Sequence, residues 1–392
     1  MALSLACWGL MALFALIASA QASFLPTDPS GLRLIQVGPN PETDRRLVSP
    51  REILRMVHER HENPSVMMGP GFVDLTGLEY DPAELSLDAT NTYTYPNNAT
   101  QQHIVWPLIQ ELDKDKMTSF LGTFSTFHNR YYMSPTGVES HEWLLDHVTS
   151  IARQAGRNDI SCRFHHHVDF PQPSVICTMR GNSPNSTIRN QIVVCSAHSD
   201  SINTKQPLNG RAPGVDDDGS GVAGCVEIMR VLANSNYRPS RTIEFHAYAA
   251  EEVGLRGSAS VAQTYFAKGT PVYAVAQNEM SGYVKPGITP HINLVNDNVH
   301  QGLVSLMEEL ALEYVDLPTR RTTCGYACSD HASWTQYGIG AVATAEAGPK
   351  DDWVNPKMHT DGDDMDLFNP DYALEFAKLN MAFIVECAEF RG

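Results

Sequence analysis

The sequence predicts an α/β three-layer sandwich, a mostly parallel central sheet flanked on both faces by helices. Three observations carry that prediction. From about residue 100 onward, short apolar runs alternate with longer stretches of helical periodicity. Polar, carboxylate-rich segments follow directly on several of the apolar runs, where ligands gather in such sheets. The chain has 392 residues, 42% of them hydrophobic, enough to bury one large domain or two smaller ones.

The elements follow in order. Residues 3–18 are almost wholly apolar, and Ser19-Ala20-Gln21-Ala22 supplies small residues suited to cleavage. Residues 1–22 therefore read as a secretory signal peptide, although no Lys or Arg precedes the apolar run. The alternative is a single membrane anchor, for which the run falls short of the roughly 20 residues a span needs. Residues 23–95 hold one helix-like stretch, 50–61, then a Pro/Gly/Asn/Thr-rich region ending at Tyr95-Pro96-Asn97-Asn98. Such a linker suits proteolytic removal, so 23–95 read as a propeptide. An accessory domain that stays attached is the alternative.

Residues 96–392 form the main domain. Helices are predicted at 142–155, 219–233, 299–314 and 372–390. Strands are predicted at 191–197, 242–250, 272–276, 292–295 and 339–344. There is no internal repeat or low-complexity tract.

Charge and cysteines bound the function. The formal net charge is −17, with 45 Asp and Glu against 28 Lys and Arg. That sign repels phosphate backbones and anionic lipid, which excludes nucleic acid and membrane surfaces as expected partners. Of eight cysteines, Cys7 lies in the leader and Cys324 and Cys328 lie close together. Cys162 and Cys177 flank the turn-like Phe170-Pro171-Gln172-Pro173 and are placed to face each other across a hairpin. Cys195, Cys225 and Cys387 sit in apolar runs and read as buried thiols. Asn98-Ala99-Thr100 and Asn185-Ser186-Thr187 match the N-glycosylation pattern, which has meaning only in an exported protein.

Four segments carry chemistry. Ala197-His198-Ser199-Asp200 ends a strand, and residues two apart in a strand face the same way. His198 can then bind a metal while Asp200 takes its other ring N–H; a surface pair is the plain alternative. In Gly214-Val215-Asp216-Asp217-Asp218-Gly219-Ser220-Gly221, three adjacent carboxylates need either a cation or open water. Glu251-Glu252 follows a strand, so that one carboxylate can bind metal and the other accept a proton from water. Met358-His359-Thr360 lies in a polar loop, and Asn278-Glu279-Met280 ends another strand. Taken together these supply nitrogen and oxygen ligands of the kind that suit zinc, and one shared carboxylate suffices to hold two ions.

From Tyr95 to the C-terminus the chain resembles the secreted co-catalytic di-zinc leucine aminopeptidases of bacteria and fungi, zinc exopeptidases by fold. The likeness rests on Thr126-Phe127-His128-Asn129-Arg130-Tyr131-Tyr132, on Arg211 to Gly221, on Ala247 to Ser258 and on Cys324 to Trp334. Gly71-Phe72-Val73-Asp74-Leu75-Thr76, within the propeptide, is similar to fungal members. The resemblance implies two zinc ions per chain and peptide or protein N-termini as substrate. Asp217 would bridge the ions, with a cis peptide bond to Asp218. His198 and Glu279 would complete one site, and Glu252 and His359 the other. Glu251 would be the general base, and Asp200 would orient His198. Asp216 and Asp218 are supports rather than ligands. Cys324 and Cys328 would be disulfide-bonded beside the pocket, with Tyr326 placed to hydrogen-bond the scissile carbonyl or the tetrahedral oxyanion. Met280 would line the pocket for the N-terminal side chain. The implied protein is a secreted monomer releasing apolar, Leu-like residues.

Two departures stand out. The family usually has Asp where this chain has Glu279, which keeps the charge but adds a methylene. Between Gly340 and His359 the family places aromatic side chains, whereas Ala341-Val342-Ala343-Thr344-Ala345-Glu346-Ala347-Gly348 is mostly small, which implies a wider pocket. Among other residues, His165-His166-His167 read as surface or structural, His246 as a core-strand residue and His331 as support for the site. Ser220 and Ser329 lack the setting of a nucleophilic serine. The rival readings are a carboxypeptidase or single-zinc glutaminyl cyclase on the same fold, or a non-catalytic binding ectodomain that has begun to lose its ligands.

Overall fold

The computed structural model describes residues 31–38, 40–61, 71–78, 81, 83, 93–348, 351 and 353–391. The expected signal peptide and much of the expected linker lie outside the described residues. The N-terminal part forms β1 (Arg33–Gln36), β2 (Arg45–Val48), helix α1 (Pro50–His61) and β3 (Val73–Asp74). Its sheet runs β2-β1-β3 and is antiparallel. Helix α1 has the predicted bounds; the small sheet has no counterpart in the sequence reading.

The main body begins with three helices, α2 (Gln102–Ile109), α3 (Lys114–Phe124) and α4 (Pro135–Gln154). Helix α4 starts a full turn and more before the predicted 142, because Ser134 caps it through Gly137 N–H and Pro135 opens it. There follow β4 (Ile160–His165), β5 (Ser174–Met179), α5 (Ser186–Asn190), β6 (Ile192–His198), α6 (Gly221–Asn234), β7 (Thr242–Tyr248), α7 (Arg256–Ala267) and β8 (Val272–Glu279). The chain ends with β9 (Ile292–Val295), α8 (Gln301–Tyr314), β10 (Thr319–Thr322), α9 (His331–Thr335), β11 (Ala341–Ala345) and α10 (Pro370–Glu389).

Eight strands form one sheet in the order β10-β9-β11-β8-β6-β7-β5-β4. Four of its seven pairings are parallel, including the central β7-β6-β8 trio, and the antiparallel ones involve β4, β5 and the β9/β11 contact. The sheet is thus mixed, parallel where it matters for the site.

Both faces are covered. Along β6 the side chains alternate: Val193, Cys195 and Ala197 pack with α4, α6, α8 and α10, while Ile192 and Val194 pack with Val261 and Tyr265 of α7 and Trp334 of α9. A central strand buried on both faces explains why residues 192–198 are all buried. The body is tied to its own N-terminus by buried Glu386 of α10, which accepts hydrogen bonds from Thr100 N, Thr100 Oγ1 and Gln101 N. Tyr95 packs edge-on against Tyr273. The packed body therefore extends back to about residue 93, slightly before the linker was expected to end.

Disulfides join Cys162 to Cys177 across the β4–β5 hairpin and Cys324 to Cys328. Cys195, Cys225 and Cys387 are buried. Among the described residues no helix is long and apolar enough to cross a membrane.

Candidate metal centre

Three neighbouring parallel strands deliver their carboxyl ends to one place. His198 is the last residue of β6, Glu279 the last of β8, and Glu251 and Glu252 follow β7 by a short turn. The turn 214–221 enters from the side, opening α6. Gly214 has φ 53°, and a Cβ there would meet Asp217 O at 2.6 Å. Gly221 has no room either, since a Cβ would lie 2.5 Å from Asn278 O and from Asp218 Oδ1. His359 reaches in from the loop before α10.

The result is two clusters of ligand atoms that share one carboxylate. His198, Asp217 and Glu279 form one group and Asp217, Glu252 and His359 the other, each with ligand atoms within 4.8 Å of one another. His198 Nε2 lies 3.0 Å from Asp217 Oδ1 and 3.5 Å from Glu279 Oε1. His359 Nε2 lies 3.0 Å from Asp217 Oδ2 and 2.9 Å from Glu252 Oε2. Asp217 thus offers one oxygen to each side, the arrangement required of a bridging ligand. The peptide bond between Asp217 and Asp218 is cis, as the resemblance implied.

The supports are equally specific. Asp200 Oδ1 lies 3.5 Å from His198 Nδ1, which leaves Nε2 facing the cluster. Asp200 also accepts from Glu251 N at 2.9 Å and Glu252 N at 3.3 Å, so one carboxylate aligns the histidine and the Glu pair. Asp218 accepts from His198 N, Gly221 N and Met280 N, and points away from the cluster. Three residues with no role in the sequence reading complete the frame. Buried Arg130 donates to the carbonyls of Ser199, Pro213 and Gly214 and pins the turn. Asp363 accepts from Asp216 N and Asp217 N. Asn355 donates to Asp216 and Asp363. Arg130 stood inside a quoted motif; Asp363 and Asn355 carried no local signal, because the Asp216–Asp217 turn they hold lies some 140 residues away.

Ser329 is a correction of emphasis. Its Oγ donates to Glu279 Oε2 at 2.5 Å. The longer Glu side chain is thereby held with Oε1 toward His198. Ser329→Ala is expected to weaken metal binding at the His198 group by about 10-fold or more while sparing the Glu252–His359 group. Competition of the metal-loaded protein with a chromophoric chelator reads this directly.

Electrostatics test whether the donors fit a metal. Burial drives up Glu251, Glu252, Asp216, Asp330 and Asp363, and neighbouring carboxylates add to it. Glu252 rises to about 7, Asp363 to about 6, and Asp216 and Asp330 to about 8. For Glu251, burial dominates and Glu279, Asp330 and Glu252 add repulsion, placing it well above the carboxylate range. Burial also opposes the charged imidazoles, yet Glu279, Asp200 and Asp217 raise His198, and Glu252 and Asp217 raise His359. Glu251 Oε1 and Glu252 Oε1 are buried with no hydrogen-bond donor among the described residues. So many buried carboxylates around two imidazoles fit a divalent cation of high charge density.

Met280, 1% exposed, clusters with Ala345, Ala347, Val354 and Met358, and half-buried Trp353 packs on them. Tyr326 sits in the Cys324–Cys328 loop, its phenol pushed up to about 12 by burial despite the Arg60 guanidinium 4.1 Å from its ring centroid. His331 is buried against Asp297 O, and His246 is a core residue bonded to Glu244. His165 and His167 meet Ser260 and Ser174 and belong to neither ligand group.

Comparison with known proteins agrees with this geometry. Residues 174–384 match the profile of peptidase family M28. The chain is 35% identical over 345 residues to "Leucine aminopeptidase 1" of Penicillium rubens, covering 85% of this chain and 87% of that one. It is 34% identical to a "Probable leucine aminopeptidase" of Arthroderma otae over 93% of this chain and 94% of that one. Among solved structures, LapA aminopeptidase of Legionella pneumophila superposes with a TM-score of 0.77 at 28% identity, covering 91% of this chain and 94% of that chain. LapB from the same organism gives 0.77 at 29%, covering 91% and 99%.

Proposed function

From the premise that the chain belongs to peptidase family M28, as a zinc aminopeptidase, we propose that it is a secreted, monomeric di-zinc enzyme releasing apolar N-terminal residues from peptides. The observation that carries the two-zinc reading is Asp217, with one oxygen beside His198 and the other beside His359. His198, Asp217 and Glu279 would hold one zinc ion, and Asp217, Glu252 and His359 the other. Bound zinc would supply a Lewis acid for the scissile carbonyl and lower the pKa of water.

The chain's own groups do the rest. Glu251 takes a proton from the attacking water on its free carboxylate oxygen and returns it to the leaving amine. Tyr326 donates its phenolic hydrogen to the carbonyl oxygen as negative charge develops there. Met280 and the small side chains of Ala345 and Ala347 form an apolar surface for the first side chain, and Trp353 brings one aromatic ring to it, where the sequence reading expected mostly small residues. A panel of aminoacyl-p-nitroanilides tests this, with an N-acetylated Leu substrate as control. Cleavage of Leu and Met, with none of the blocked substrate, is expected; a preference for charged residues would sink the apolar assignment. Loss of the ligands or of Glu251 would be expected of a binding ectodomain, and all of these residues are present.

Export is supported by the apolar leader, by two disulfides and by the exposure of Asn98 and Asn185 in their glycosylation triplets. For residues 23–95 we propose a covering propeptide. Arg60 lies over Tyr326, and Phe72, Val73, Leu75 and Leu78 are buried against the body, including the Ala249-Ala250 step before Glu251. Each such side chain contributes about 1.5–3 kcal/mol on burial, so the segment stays docked after simple cleavage. The chain starting at 96 is expected to turn over faster than the longer form, and the separate 23–95 peptide to suppress it when added back. Equal rates with and without the segment would remove the covering role.

Acid should oppose the metal. Glu252 titrates near 7 in the metal-free fold, and Glu251, His198 and His359 are raised as well, so zinc must displace protons around neutrality. Zinc affinity is therefore expected to rise with pH through the neutral range. Calorimetry in buffers of different ionisation enthalpy should count released protons, fewer at higher pH.

A further inference from the structure

Beneath the metal centre two sulfurs lie closer than two separate thiols sit. Cys195 Sγ and Cys225 Sγ are 2.9 Å apart in the core, whereas even smaller carbon atoms rest at about 3.5–4.0 Å when not bonded. Cys195 is three residues before His198 on β6. Cys225 lies in the first turns of α6, directly after the Asp217 turn. Both side chains belong to the layer between the sheet and α6, together with Val222, Met229 and Phe245. Nothing polar competes for either sulfur among the described residues. Cys387, the remaining buried thiol, lies elsewhere on α10.

We propose that Cys195 and Cys225 form a third disulfide, which fastens the strand carrying His198 to the helix that follows the bridging Asp217. Closure follows from thiol–disulfide exchange during folding: the two thiols lose two protons and two electrons to a low-molecular-weight disulfide, which leaves as two thiols. The same exchange accounts for Cys162–Cys177 and Cys324–Cys328, so no separate oxidant is needed. The bond ties the two elements whose relative position sets the distance from His198 to Asp217. It does so from the buried side, away from substrate, and leaves the ligand atoms untouched.

The experiment is a cysteine map of the folded, unreduced protein. The protein is denatured in excess N-ethylmaleimide, digested without reductant, and the peptides are identified by mass spectrometry. Cys387 serves as the internal control, since it must appear alkylated once the core is opened. The expected result is a linked peptide pair containing Cys195 and Cys225 in most molecules. Recovery of both cysteines mainly as their maleimide adducts, with Cys387 equally alkylated, would overturn the proposal. A second readout follows metal retention. Mild reduction that opens this bond and spares the fold, judged by circular dichroism, is expected to speed zinc release to a chelator several-fold. Unchanged release from protein shown by the same map to have lost the bond would remove its role in holding the site.

Discussion

Glu251→Gln is expected to lower kcat by about 10²- to 10⁴-fold, the range lost with a positioned general base, while leaving zinc content unchanged. The residue is 1% exposed, yet its Oε1 has no hydrogen-bond donor among the described residues and its backbone N–H is fixed by Asp200. A buried carboxylate kept without a donor costs stability unless something at the site uses it. Glu251 belongs to neither ligand group, unlike its neighbour Glu252. Glutamine keeps the size and the backbone contacts but cannot accept a proton. The split between activity and metal content is what separates a base from a ligand. Metal analysis alongside steady-state rates makes the comparison, and Glu252→Gln should show the opposite pattern, with zinc lost first.

Asp217→Ala is expected to abolish activity and to empty both sites at once. Asp217 is the one residue common to both ligand groups. Burial alone would raise its carboxyl, but hydrogen bonds from His198 and His359 hold it well below the usual range. Removing it takes from each imidazole a carboxylate oxygen 3.0 Å away and would take one ligand from each of the two proposed ions. Ligand binding stabilises a fold by mass action, about 4 kcal/mol when the free ligand is a thousandfold above its dissociation constant. Thermal unfolding of the wild type should therefore shift upward with zinc, and that of Asp217→Ala should hardly move. His359→Ala, which spares the His198 group, should retain part of the shift. A variant that kept the full shift would show that Asp217 is not the bridge.

How far the sequence anticipated this site depends on how local each signal was. His198, Asp217, Glu252, Glu279 and His359 were legible because each stands at a strand end or in a polar turn, and the structure brings them together. The parallel core was legible because β6 and β8 open on apolar runs and β7 is rich in aromatic and apolar residues, and β9 kept its predicted bounds. Elements with mixed burial escaped. In β1 and β2 only one residue of four is buried, and β10 has none, so no apolar period marks them. The early start of α4 could have been read from Ser134-Pro135, a cap followed by proline at the first helical position. Ser329 beside Glu279 and Asp363 beneath Asp217 could not, because hydrogen bonds between distant segments leave no mark on spacing. Glu279 itself is instructive. The added methylene raised the question of an altered ligand, and in the structure the Ser329 hydroxyl donates to its second oxygen.

The central claim is that one carboxylate joins two zinc ions at a peptide-cleaving site. The most direct measurement is zinc per chain and Leu-p-nitroanilide turnover on one preparation, titrated with zinc from the metal-free form. The account predicts two zinc ions per chain at saturation and hydrolysis that depends on their binding. Full activity with a single ion, or two bound ions with no hydrolysis of any free-amino substrate in the panel, would contradict it.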